Sequence, residues 1–296
     1  MHRRLIALLA TAAVAIAACA GAPGATPIAD PTAIVTQSLD ALSKAQTVHV
    51  KADVAGTVPF DLSSLMGGAT GDPAASGGSM DISGSYIEAT VDINGKKGTA
   101  TIAVPALLNL KMDLIMDGDT SYVLFPMLMG PKWVKSVSSP DPGASPSPSQ
   151  DVASMTADLQ KALTAEGVKT EKLADEKCGD VDCYHVRITA PASALSGDAS
   201  GLLSGLGGGL GDLAGGLTAS PAPGASPLVG GDVTIDWYAQ KSDLRPAKIV
   251  LAVDAGGSPI TITAVMDSYD KPVTASPPPA DQVTDQPEFS LPSIAP

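Results

Sequence analysis

The sequence predicts an α+β fold, a strongly curved antiparallel β-sheet with two helices lying over one face. Two observations predict it. Apolar and polar residues alternate in many short runs separated by turn residues, so every connection between strands is local. Only two segments instead carry the period of an amphipathic helix.

The first helix comes from Ile34, Val35, Ser38, Leu39, Leu42 and Ala45 at helical spacing, with Asp30 placed to cap it and Pro31 at its first position. Next, Val48, Val50, Ala52 and Val54 alternate with His49, Lys51 and Asp53. Met80 and Ile82 are followed by Ile87, Ala89, Val91 and Ile93 in the opposite phase, which predicts a bulge near residues 83–86 in one long bent strand. Asn94-Gly95 is a tight-turn signal. Strands then follow over 99–104, 110–116 and 121–125, the last two joined by a turn at Asp117-Gly118-Asp119. Val152, Met155, Leu159, Ala162 and Leu163 mark the second helix, and five strands complete the sheet over 168–174, 184–190, 233–239, 247–253 and 260–267.

The ends and insertions read differently. Arg3 and Arg4 precede the apolar run Leu5 to Ala18, and Ile16-Ala17-Ala18-Cys19 has the form of a lipobox. Residues 1–18 are therefore expected to be a lipoprotein signal peptide, with Cys19 the lipidated first residue of the mature chain. The run is too short for a spanning helix of about 20 residues. Acyl chains such as palmitate, at about 0.8 kcal/mol per buried methylene, would hold the protein to the extracytoplasmic side of the cell membrane. Residues 19–30 read as a flexible tether and 31–270 as the folded domain. Low-complexity insertions fall near 67–79, 139–149 and 197–230, and 271–296 is a Pro-rich tail. Within the third insertion, the leucines at 202, 203, 206, 210, 213 and 217 lie among many glycines and read either as a low-complexity loop or as an apolar flap.

A formal net charge of -13 argues against a nucleic-acid surface and against general attraction to anionic headgroups, so attachment is assigned to lipid and not to charge. Aromatic residues make up 3 % of the chain against 44 % hydrophobic, so the interior is aliphatic. Cys178 and Cys183, in an oxidising compartment, are expected to form a disulfide stapling two strands. A metal site would want further Cys or His close by, and His185 alone does not complete one with Asp180 or Asp182, so no cofactor is implied. Enzymatic chemistry has little support. His49 and His185 sit at strand positions expected to face solvent, and no nucleophile elbow, zinc-binding His-Glu-x-x-His or phosphate loop occurs.

Alternation nominates Val50, Val54, Leu110, Met112, Leu114, Met116, Val123, Val186, Ile188, Ile235, Trp237, Ile249 and Leu251 as inward-facing. Each fits ordinary core packing as well as contact with a ligand. Two short helices that leave a curved sheet incompletely filled would open a cavity in the usual pocket range of about 300 to 1,000 Å³. Met112, Met116, Met127 and Met129 would let such a pocket adapt to varied chains.

The stretch from Asp117 to Lys135, ending in Trp133-Val134-Lys135, precedes Val233-Thr-Ile-Asp-Trp-Tyr-Ala239, Asp243-Leu-Arg-Pro246 and Ala247-Lys-Ile-Val-Leu251. In this order, behind a lipobox and a Ser38-Leu-Asp-Ala-Leu42 helix, the chain resembles the LppX/LprAFG family of bacterial lipoproteins. The resemblance departs at the Gly-rich insertions, the Pro-Ser spacer and the tail. It implies a half-barrel similar to the LolA/LolB lipoprotein carriers, enclosing an apolar cavity for acylated lipids or glycolipids carried across the cell envelope, with an envelope lipid transporter as partner. It fixes no individual ligand-binding residue. The alternative function is a non-enzymatic envelope scaffold or sensor binding a protein.

Overall fold

The structure is a computed structural model and describes residues 27–60, 78–93, 97–137, 161–191, 229–255 and 257–285. The lipobox with Cys19, the Asn94-Gly95 turn, the Pro-Ser spacer, most of the second predicted helix and the Leu/Gly-rich insertion lie outside these residues.

Helix α1 (Pro31–Ser43) starts where the sequence places it. The Thr32 amide donates to Asp30 Oδ1 at 3.0 Å, and Pro31 occupies a position where no amide donor is needed. The strands are β1 (Thr47–Phe60), β2 (Gly78–Asp81), β3 (Ser85–Asp92), β4 (Lys97–Val104), β5 (Leu110–Asp117) and β6 (Thr120–Leu124). A four-residue helix α2 (Pro126–Met129), which the sequence did not suggest, leads to β7 (Trp133–Val137). After it come β8 (Lys169–Lys172), β9 (Glu176–Cys178), β10 (Val181–Pro191), β11 (Val229–Gln240), β12 (Pro246–Ala255), β13 (Ser258–Tyr269) and β14 (Val283–Thr284).

These strands form one curled, unclosed sheet, a half-barrel, in the order β14-β7-β6-β5-β4-β3-β1-β13-β12-β11-β10-β8, with β2 paired to β1 and β9 to β10. All pairings are antiparallel except β14 with β7. The bend expected near residues 83–86 is a break between two strands. Both β2 and β3 pair with β1, and the turn between them holds Gly84 at a φ of 83°. Gly56 faces this turn with a φ of 136°, and a Cβ there would overlap the Pro259 carbonyl oxygen. Only glycine lets β1 pass so close to β13.

The buried core joins Ile34, Val35 and Leu39 of α1 to inward residues of β1 and β10 to β13. Its largest side chain is Trp237, 1 % exposed, whose Nε1 donates to Ser38 Oγ at 3.0 Å. Both partners are buried, so neither has water to fall back on.

The outer face carries a cross-strand polar cluster. His185, read from sequence as solvent-facing, is 4 % exposed. The register sets it opposite Tyr238, on which it stacks with ring centroids 4.2 Å apart, and Lys248 Nζ covers the other partner ring at 3.8 Å. His185 Nε2 lies 3.0 Å from Asp236 Oδ1, and Arg187 Nε donates to the same oxygen at 2.8 Å. Burial pushes the Asp236 carboxyl up, but the hydrogen bonds from Arg187 and His185 outweigh it and hold the group below its ordinary value of 3.8.

Cys178 and Cys183 are disulfide-bonded and tie β9 to β10, as the sequence suggested. Residues after Lys271, read as a tail, contribute β14 to the sheet edge, preceded by a 3-10 turn at Ala280–Gln282. This short strand covers an otherwise open edge of β7.

Two stability predictions follow from these contacts. Ser38→Ala strands the buried Trp237 donor and is expected to cost about 1 to 3 kcal/mol in urea unfolding. Because the folded pKa of Asp236 is depressed, its contribution is complete above the ordinary value of 3.8 and fades as pH falls through the lower folded value. Asp236→Asn should therefore flatten the acid limb of stability below about pH 4, read from urea midpoints across pH 2 to 6.

Candidate functional site: an aliphatic trough on the concave face

Residues directly opposite in neighbouring strands share a face, and residues two apart along a strand do so too. The register thus carries one face across the sheet. Ile188 faces Ile235, which faces Leu251, then Ile262, then Val54. Along a parallel row, Val50 faces Ala89, which faces Ala100, then Leu114, then Val123. Met112 lies opposite Ile102, Met116 opposite Gly98 and Leu110 opposite Val104. Val186 and Ile249 flank Trp237 in the same way. All the inward candidates nominated from alternation therefore lie on a single face, the one that α1 packs against.

Burial divides them. Val54, Val186, Ile188, Ile235, Trp237, Ile249 and Leu251 belong to the dry core, and Val50 packs against its margin. These side chains touch one another and α1, so they support the fold. Leu110, Met112, Leu114, Met116 and Val123 fall outside that core and remain only partly buried. With Ala89, Ala100, Ile102 and Val134 they form the floor of a trough over β3 to β7. Strand spacing makes this floor about 20 Å wide and strand length makes it about 25 Å long.

Small residues deepen the trough. Gly98 leaves room for the Met116 methyl, which would come within 2.9 Å of a Cβ placed there. Ala89 and Ala100 stand between the larger Val50 and Leu114 in one cross-strand row. At the boundary between core and trough, Ser85 is 6 % exposed and its hydroxyl has no hydrogen-bond partner. A buried hydroxyl left unpaired costs stability, so it is available to any polar group arriving there. Alternation could not have singled out Ser85, because a serine on an apolar face reads simply as a small residue.

Among the described residues, no group of three or more His, Cys, Asp or Glu side chains could hold a metal ion. His49 is on the outer face, 2.7 Å from Asp267 Oδ1 and 3.4 Å from Glu88 Oε1, and His185 is on the outer face as well. A separate groove of about 330 Å³ lies between β6, β7 and residues 278–285, lined by Tyr122, Lys135, Val283 and Asp285 among others. No described helix is long and apolar enough to cross a membrane.

The class defined by this geometry is an antiparallel half-barrel, sealed along one half of its concave face by a helix and lined with aliphatic side chains along the other. Two solved structures share similarity with it over nearly their whole length. One is the lipoprotein LppX of Mycobacterium tuberculosis, 15 % identical with a TM-score of 0.43, matched over 83 % of this chain and 97 % of that one. The second is LprF of Mycobacterium bovis, 14 % identical with a TM-score of 0.47, matched over 86 % and 99 %. No protein-family model and no curated protein matches the sequence.

The division of the face sets a differential prediction. In lipid-free protein, Leu251→Ala opens a cavity in the dry core and is expected to cost about 2 to 5 kcal/mol. Leu114→Ala, on the partly exposed floor, should cost less than about 1.5 kcal/mol, because less of its surface leaves water on folding. Chemical denaturation of the two variants measures the difference.

Proposed function

We propose that this protein is a membrane-anchored lipoprotein that binds acylated lipids or glycolipids in the trough over β3 to β7 and carries them within the cell envelope. The reading is supported above all by the partly exposed floor of Leu110, Met112, Leu114, Met116 and Val123, which the helix sealing the other half does not cover. An acyl chain laid on it would lose water from its own methylenes and from the floor together. At about 0.8 kcal/mol per buried methylene, some ten methylenes would supply about 8 kcal/mol, the range of micromolar binding. Met112 and Met116 have the rotational freedom to fit chains of different length and unsaturation. The Ser85 hydroxyl is placed to hydrogen-bond an ester or amide near the start of a chain, while the polar head stays outside.

In this reading Cys19 carries the acyl anchor and the tether is shorter than residues 19–30, because Ile28 already packs against the core and donates its amide to Tyr184 Oη at 3.4 Å, and Asp30 caps α1. The donor and acceptor are membranes or an envelope lipid transporter, and no nucleic acid is involved. No catalytic group is required, since uptake and release need only water exclusion and exposure of the trough.

The test is native mass spectrometry with lipid extraction, on the chain lacking residues 1–18 and carrying Cys19→Ser, purified from a host that exports it. A stoichiometric added mass, released as acylated lipid, is expected. In the same assay Ala100→Phe, which sets a ring across the middle of the floor, should lower lipid occupancy severalfold without changing the far-UV circular dichroism. A bare polypeptide that also fails to take up added lipid would overturn the proposal and favour a scaffold or sensor that binds protein.

A further inference from the structure

The two connections at one end of the trough are apolar and exposed. Leu108, in the turn between β4 and β5, is 82 % exposed, and Met127 of α2, between β6 and β7, is 45 % exposed. The antiparallel register puts both connections at the same end of the sheet. Val104 and Leu110 face each other there, and Leu124 is opposite Asp113, three residues into β5, so α2 stands beside the start of β5 and packs against it. Pro105, Ala106, Pro126 and Pro131 are exposed around them.

This exposure is built into the backbone. Leu108 and Asn109 have φ of 55° and 58°, a left-handed pair that turns the Leu108 side chain away from the sheet. The turn is closed by its own hydrogen bonds, from Asn109 N to Pro105 O at 3.1 Å and from Leu110 N to Leu107 O at 2.9 Å, and α2 by Met129 N to Phe125 O at 2.8 Å. A strained backbone that holds a leucine out in water is unexpected unless water is not its working environment.

Charge is equally uneven. In a chain with 31 acidic residues and a net charge of -13, neither Val104 to Met112 nor Leu124 to Lys135 contains an Asp or Glu. Both contain lysine, at Lys111, Lys132 and Lys135. Lys111 is half-exposed, 3.2 Å from Asp113, and Lys132 is exposed. The turn at the other end of the same strands holds Asp117 and Asp119. Carboxylates at the apolar end of the sheet sit on neighbouring segments, Asp81 on β2, Asp232 on β11, Asp254 on β12 and the exposed Asp281 in the 3-10 turn before β14, whose Val283 pairs with Trp133 at the start of β7. The overall charge thus excludes broad attraction to an anionic surface, whereas the two connections themselves carry lysine and no carboxylate.

We infer that this tip, the β4–β5 turn together with α2, docks on an anionic lipid surface, with Leu108 and Met127 entering between the lipids and Lys111 and Lys132 at the headgroups. Two small convex connections cannot supply the roughly 800 Å² per partner of a standard protein interface. They suit a fluid surface that conforms to them, where lone apolar side chains and flanking lysines each contribute. The tip is continuous with the trough, since Val104 and Leu110 begin the concave face at that end. Docking there would set the trough mouth against the bilayer. This inference adds a surface to the carrier reading and stands without it, because it concerns vesicles and not a bound lipid.

The experiment is vesicle flotation of the chain lacking residues 1–18 and carrying Cys19→Ser, which retains every described residue and has no acyl anchor. The vesicles are equal parts phosphatidylglycerol and phosphatidylcholine. The unmodified fold is expected to float with the vesicles, and Leu108→Glu and Met127→Glu should each weaken binding about tenfold or more. Val137→Glu, 54 % exposed at the opposite end of β7, should leave binding unchanged. Circular dichroism and thermal midpoints should agree across the set. Native mass spectrometry of Leu108→Glu should still show any lipid that the parent retains, which separates loss of docking from loss of cargo. Failure of the parent to float, or equal loss in Val137→Glu and Leu108→Glu, overturns the inference.

Discussion

A thirteen-residue helix pinned to the sheet by one buried hydrogen bond sets the layout of this protein. At 1.5 Å per residue α1 is about 20 Å long, while the path of twelve strands from β14 to β8 extends about 50 Å. Such a helix can dry only part of the concave face. The Trp237–Ser38 contact fixes which part, because a buried indole donor has no water to replace its partner and so holds α1 over β11. Everything on that side becomes core. On the other side the same aliphatic surface runs on over β3 to β7, beyond the reach of α1, with only the four-residue α2 beside the start of β5.

The outer face is organised by the opposite principle. There, ion pairs and stacked rings run across neighbouring strands, as in the row linking His185 and Arg187 to Asp236 and Tyr238 to Lys248. These groups tie β10, β11 and β12 together without using concave surface. The disulfide adds a staple at the β9–β10 corner, and Tyr269 closes the far side by donating to the Pro246 carbonyl at 2.6 Å. That half of the half-barrel is thus held from both faces. The trough half is held by its strand ladders and by outer-face contacts between β4 and β5, Thr101 donating to Asp113 at 2.7 Å and Lys97 lying 3.2 Å from Asp117.

Much of this was legible in the sequence because strand alternation is a local property. The parity of Val48, Val50, Ala52 and Val54 against His49, Lys51 and Asp53 assigned the concave face of β1 correctly, and the same parity assigned Leu110 to Met116. The Asp30–Pro31 start of α1 was legible for the same reason, since a cap and its first turn are neighbours in the chain. The Ser83–Gly84 break was visible only as a change of phase. Whether such a change is a bulge or a turn between strands depends on the partner, here β1, which lies some thirty residues away. Helix α2 left no periodic trace because four residues are too few to show one.

The sequence by itself determined the fold class, the face each strand residue occupies, the cap of α1 and the cysteine pairing, because each follows from spacing along the chain. Only the tertiary structure decided how the inward residues divide between core and trough, because that depends on how far α1 reaches over the sheet. The tertiary structure also put His185 out of water beneath Tyr238, a burial set by pairing with a strand some fifty residues away. It turned part of the Pro-rich end into the β14 edge, and it brought the turn bearing Leu108 to the same end as α2. For His185 and β14 the deciding contact is long-range, and alternation records which side a residue faces but not what lies on that side.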